Sequence, residues 1–265
     1  MLAHMAAFTT FQQLLVLLLV AAHALALGVI VFRHRWRGYP AFSVYIFLNL
    51  LQGAVLMLLY RTSGVSSTFT SHFAWATQAA ILCARAMVIR EVCKHLLSWY
   101  RGIWALTWRI LAGTAVFLVL YSLIAAGGSV RDAVLIADLG LELTIAVVLT
   151  LLFLFARYYE IEADSTLRSL AIGLFLFSCC TVLNNTVMSS SVTHYYELWN
   201  ILSGLAFLAS LLLWTWAFYA AVPSATPENL LPAGVYHSLV PEVNSRLRRL
   251  NDDLTTIFDR EGHQR

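Results

Sequence analysis

Apolar residues in this chain run on rather than alternate. Seven stretches, at 10–32, 42–60, 72–92, 103–125, 134–156, 169–190 and 198–220, are almost continuously hydrophobic. A helix rises 1.5 Å per residue and the hydrocarbon core of a bilayer is about 30 Å thick, so about 20 such residues cross it. In lipid every backbone polar group must be satisfied within the segment, which leaves the helix as the conformation for each run. The gaps between runs are short and hold turn formers, such as Gly38-Tyr39-Pro40 and Gly127-Gly128. The pattern therefore predicts an all-α membrane protein, a seven-transmembrane helix bundle over residues 1–221. Residues 222–265 read as a polar tail made of a linker and an amphipathic helix.

Composition agrees. Only 12% of residues are charged and 60% are hydrophobic, against roughly 25% charged in a soluble domain. The net charge of +3 says less than its distribution. Arg33, Arg35, Arg37, Arg90, Lys94, Arg101, Arg157 and Arg168 follow or precede spans on one side, while the alternate loops hold Arg61 and Arg131. The basic side is the cytoplasmic one, so the N-terminus is expected outside and the C-terminus inside. Aromatic belts agree: Trp36, Trp99 and Trp104 lie near the inner boundary, and Trp75 and Trp199 near the outer one. The first span lacks a preceding Lys or Arg and is followed by three arginines, the pattern of a retained reversed anchor rather than a signal peptide. Cys83, Cys93, Cys179 and Cys180 all fall in or at the inner ends of apolar runs, so no disulfide framework is expected, and the Cys179-Cys180 pair reads as buried thiols.

Ionisable groups at membrane depth are costly and mark candidate sites. Asp138 and Glu142 are four residues apart and share one face of the fifth span. Glu142 lies about 12 Å deep and Arg85 about 20 Å deep from the outer side, and helical side chains lean toward the N-terminus, which brings Arg85 toward Glu142. Gln78, Asn184 and Asn185 reach a similar outer-half level. This set reads either as a buried ion pair with an amide network that fixes packing, or as the lining of an outward-facing cavity. Arg109 snorkels toward the inner surface. His23 has no partner on its own helix, so a hydrogen bond to another helix is expected. Ala76, Ala80 and Ala84 form a small-residue stripe that suits close approach and a central third span.

Several activities are excluded by chemistry. The seventh span has no lysine for a retinal Schiff base, and Asp138 is the sole aspartate within a span, too few for a two-aspartate intramembrane protease. No phosphate loop or His-Glu-x-x-His motif is present, and neither a metal nor another cofactor is expected. The stretch Arg90-Glu91-Val92-Cys93-Lys94-His95, together with Leu141-Glu142-Leu143 and the run to Phe155 with the tyrosines after it, resembles small bacterial seven-helix integral membrane proteins to which no activity is assigned. The similarity spans residues 40–220. It implies the bacterial inner membrane and no particular chemistry.

In the tail, Val243, Leu247, Leu250, Leu254 and Ile257 are spaced four, three, four and three apart, a heptad stripe. Such a stripe must bury itself against a second copy, a cytoplasmic protein partner, the bundle or the headgroup layer. Five arginines against six acids in the tail do not make a polybasic lipid-binding segment. Besides the bilayer, the expected partners are therefore proteins, not nucleic acid. The sequence as a whole suggests a non-enzymatic receptor-like or scaffold protein. The alternative is a small transporter or ion conductor using Arg85, Asp138 and Glu142.

Overall fold

The computed structural model describes residues 10–62, 67–97, 101–158, 164–189 and 196–220, and in the tail 245, 246, 248–250, 252 and 253. Among the described residues seven long helices follow in order: α1 Thr10–Phe32, α2 Pro40–Thr62, α3 Thr68–Leu97, α4 Arg101–Ala125, α5 Val130–Tyr158, α6 Ser165–Ser189 and α7 Tyr196–Ala220. All seven are long and apolar enough to cross a membrane, and the described residues contain no strand. The protein is thus a polytopic seven-helix bundle. The helices run past the apolar stretches at several ends, α3 most of all, because a helix continues through the headgroup layer once its hydrocarbon crossing is complete.

Local chemistry sets the boundaries. Pro40 opens α2, where its missing N–H costs nothing. His34 has φ 55° at the turn after α1, followed by a 3-10 turn over Arg35–Arg37. Gly127 and Gly128 supply φ 56° and 92° between α4 and α5, and the Ser129 hydroxyl then accepts the Asp132 N–H at 3.3 Å as an N-cap. Inside the spans, threonines satisfy their hydroxyls on their own helix. Thr107, Thr144, Thr181 and Thr215 each donate to the carbonyl four residues back at 2.7–2.9 Å.

Neighbouring helices in the chain pack on one another, and α1 closes the bundle against α7. α3 also touches α5 and α6, whereas α4 lies outside against α3 and α5. Glycines mark the close approaches: a Cβ on Gly53 would press on Val20, one on Gly140 on Leu118, and one on Gly204 on Leu15. The core is richest at the end carrying Arg33, Arg35, Arg37, Arg90, Lys94, Arg157 and Arg168, here called the basic end. There Phe42, Tyr45, Trp214 and Phe218 are fully buried and stack edge to face or face to face. The outer surface is apolar, with Leu17, Leu58, Phe117, Ile124, Leu154 and Trp216 all exposed, as a lipid-facing wall requires.

Three sequence expectations change. Ala84 is buried but Ala76 and Ala80 are exposed, so the small-residue stripe seats no helix along its length. α3 is central through a different face, which carries Ile81, Arg85, Val88 and Val92. Cys179 and Cys180 are half-buried, not buried. His23 does have a partner on its own helix: its ring Nδ1 bonds the Leu19 carbonyl at 2.7 Å, and the ring packs on Phe207 of α7. Of the tail stripe, Leu250 is among the described residues and is 40% exposed. Val243, Leu247, Leu254 and Ile257 lie outside them.

Candidate functional site

The intramembrane charges meet where α2, α3, α5 and α6 come together. Arg85 sits mid-way along α3, and one guanidinium nitrogen, Nη1, contacts both acids of α5. It lies 3.2 Å from Asp138 Oδ1 and makes a close ion pair with Glu142 Oε1. The four-residue spacing on α5 makes this possible, because it stacks the two carboxylates one turn apart on the face turned to α3. Glu142 Oε2 accepts a 2.5 Å hydrogen bond from the Ser178 hydroxyl of α6. Two aromatic rings also approach the guanidinium. The Tyr45 ring of α2 and the Phe177 ring of α6 have centroids 5.6 and 5.2 Å from its central carbon, within cation–π range.

Burial divides the three charges. The side chains of Arg85 and Glu142 are 6% and 0% exposed, and that of Asp138 is 22% exposed. Arg85 and Glu142 are therefore sealed within the bundle, and Asp138 borders accessible space. Two carboxylates face one guanidinium, so the cluster carries a formal excess of one negative charge when all three are ionised.

Of the other polar residues singled out from sequence, Gln78 goes elsewhere. Gln78 lies two turns before Arg85, about 10 Å along the helix, and there it meets α2: Gln52 Nε2 donates to the Thr77 hydroxyl at 3.0 Å and approaches Gln78 Oε1 at 3.5 Å. Asn184 Oδ1 is buried without a hydrogen-bond partner among the described residues. Asn185 belongs to α6, but its side chain lies outside the described residues. The cluster is therefore Arg85, Asp138 and Glu142 with Ser178, Tyr45 and Phe177. Gln78 is not part of it.

Sequence reasoning did not reach those last three residues. Their only signal is depth, and a serine or an aromatic at that level is ordinary in a membrane helix. It also missed the work of Glu91. From α3 its two carboxylate oxygens accept the backbone N–H groups of Ala41 and Phe42, at 3.2 and 3.1 Å. These are orphan donors of the first turn of α2, and an acid there also complements the helix dipole. The readable signal was a helix opened by proline without a side-chain cap of its own, next to an acid at the same end of a neighbouring span.

The cluster presents an ion pair, a hydroxyl donor and two ring faces, and no group of three or more metal-ligating side chains occurs among the described residues. What it does well is tie four helices together at one depth. No protein-family model, no curated protein and no solved structure matches this chain.

Proposed function

We propose that this polytopic membrane protein is a receptor-like, non-enzymatic protein of the bacterial inner membrane, with its N-terminus outside and its basic end in the cytoplasm. The observation that carries the reading is the sealed latch, Arg85 held between Asp138 and Glu142 and covered by rings from α2 and α6. A transport path needs its charged groups open to water on at least one side in turn. Here Arg85 and Glu142 are the least exposed pair, and they join elements that a signalling bundle would have to move relative to one another. The basic-end arginines support the orientation, and the resemblance of residues 40–220 to bacterial seven-helix membrane proteins supports the location. The tail stripe from Val243 to Ile257 supplies the surface for self-association or a cytoplasmic protein partner.

A specific observation favours a second reading, proton or cation conduction. Asp138 is partly exposed, and the cluster's formal charge leaves room for one positive charge more. The two readings separate in proteoliposomes loaded with a pH-sensitive dye under an imposed membrane potential. The receptor reading expects proton flux equal to that of protein-free vesicles. Flux above that background, removed by Asp138→Asn, would replace it with the conductor.

A further inference from the structure

A cavity of about 690 Å³ opens at the basic end between α2 and α3. Its mouth carries Arg37, Arg90 and Lys94, with His95 beside them. The carboxylate in its lining is Glu91, already spent on the amides of Ala41 and Phe42. None of the three permanent cations makes an ion pair with a carboxylate among the described residues. Arg90 is also held in place, its guanidinium lying on the Trp108 ring of α4 at 4.7 Å from the centroid. The mouth therefore has a formal surplus of two positive charges, presented from two helices and the turn before them.

The rest of the cavity is apolar. Ala84, Val44 and Met87 line it, and Val44 and Met87 are about half exposed on the side of the bundle. Val44 is one turn into α2 and Met87 ten residues back from the end of α3, so this wall climbs about 6–15 Å from the basic end toward the middle of the bundle. In a chain that crosses a bilayer, the cavity joins cations at headgroup level to a hydrocarbon-level groove that opens sideways into lipid.

We propose that this cavity binds one anionic phospholipid, the phosphate between Arg90, Lys94 and Arg37 and an acyl chain along Val44 and Met87. A free phosphate ion shares the headgroup chemistry but leaves the apolar wall without an occupant, which is why the lipid is the ligand. Basic pockets between membrane helices suit such headgroups. The site goes beyond the latch reading and does not depend on it, since it shares no residue with Arg85, Asp138 or Glu142.

The test uses the detergent-solubilised full-length chain, titrated with phosphatidylglycerol, phosphatidylcholine or inorganic phosphate, with occupancy of the first lipid read by native mass spectrometry. Phosphatidylglycerol is expected to bind well ahead of phosphatidylcholine, and millimolar phosphate is expected not to displace it. Arg90→Gln with Lys94→Gln should weaken phosphatidylglycerol binding by about thirtyfold. Arg157→Gln with Arg168→Gln, at the same end but outside the cavity, should leave it within about twofold. Should the first pair fail to fold, Met87→Trp fills the groove without changing charge, and it should also lose the first lipid. Equal weakening by both charge pairs would show diffuse surface attraction and overturn the proposal. Displacement by phosphate, or equal binding of the two lipids, would overturn it as well.

Discussion

Arg85 is a cation near the middle of a membrane helix, a position that costs about 3 kcal/mol for an unsupported side chain. Three kinds of partner offset that cost: two carboxylates, two ring faces and, through Glu142, the Ser178 hydroxyl. The acids and the arginine were legible in the sequence because charge inside an apolar run stands out and helix geometry fixes its depth and face. Ser178 was not, since a buried hydroxyl usually bonds its own helix, as Thr181 does three residues later. At the basic end a different residue lends itself to titration. Burial pushes the Tyr39 phenol up to about 12, with the charges of Asp164 and Glu91 adding to the shift and Arg35 opposing it. An unfolded tyrosine ionises near 10, so the folded state holds the extra proton between these values. Tyr39 therefore contributes stability that is whole below about pH 10 and is lost as pH rises through 12. Tyr39→Phe should flatten that part of an alkaline unfolding profile, and an unchanged profile would show that the phenol ionises equally in both states.

α6 and α7 are joined at the basic end by Trp214, whose indole N–H donates to the Leu170 carbonyl at 3.2 Å, and by Ser210, whose hydroxyl donates to the Gly173 carbonyl at 3.1 Å. A Cβ on Gly173 would overlap the buried indole of Trp214. Gly173→Ala should therefore destabilise the bundle by about 1–3 kcal/mol. Gly113 in α4 has nothing within 4 Å of the same added atom, so Gly113→Ala should be neutral or stabilising through helix propensity alone. Thermal unfolding of both variants in detergent checks the contrast, and equal losses would contradict this packing. Periodicity could not foresee it, because in an apolar helix a glycine at a contact and a glycine facing lipid read alike. The Ala76, Ala80 and Ala84 stripe misled for the same reason: spacing defines a face, and only the assembled bundle decides what that face meets.

For the whole molecule, the count and extent of the helices were readable because the bilayer sets the length of every apolar run. The order of packing was not, because lipid-facing and helix-facing surfaces are equally apolar. The asymmetry of arginine and lysine predicts orientation. A reporter fused after Arg265 should be active only in the cytoplasm, and one inserted within 62–70 only outside; reversed activities would invert the orientation. The latch is the feature on which the receptor reading stands, and a thermodynamic cycle tests it directly. Arg85→Gln leaves the buried Glu142 and the partly exposed Asp138 without a counter-charge and should cost about 3–5 kcal/mol. Glu142→Gln leaves the Arg85–Asp138 pair intact and should cost less. The measurement is thermal unfolding of the wild type, both single variants and the double variant. The latch requires the double variant to lose clearly less than the sum of the singles. Additive losses would show that Arg85 and Glu142 do not act on each other, and the sealed latch would not exist.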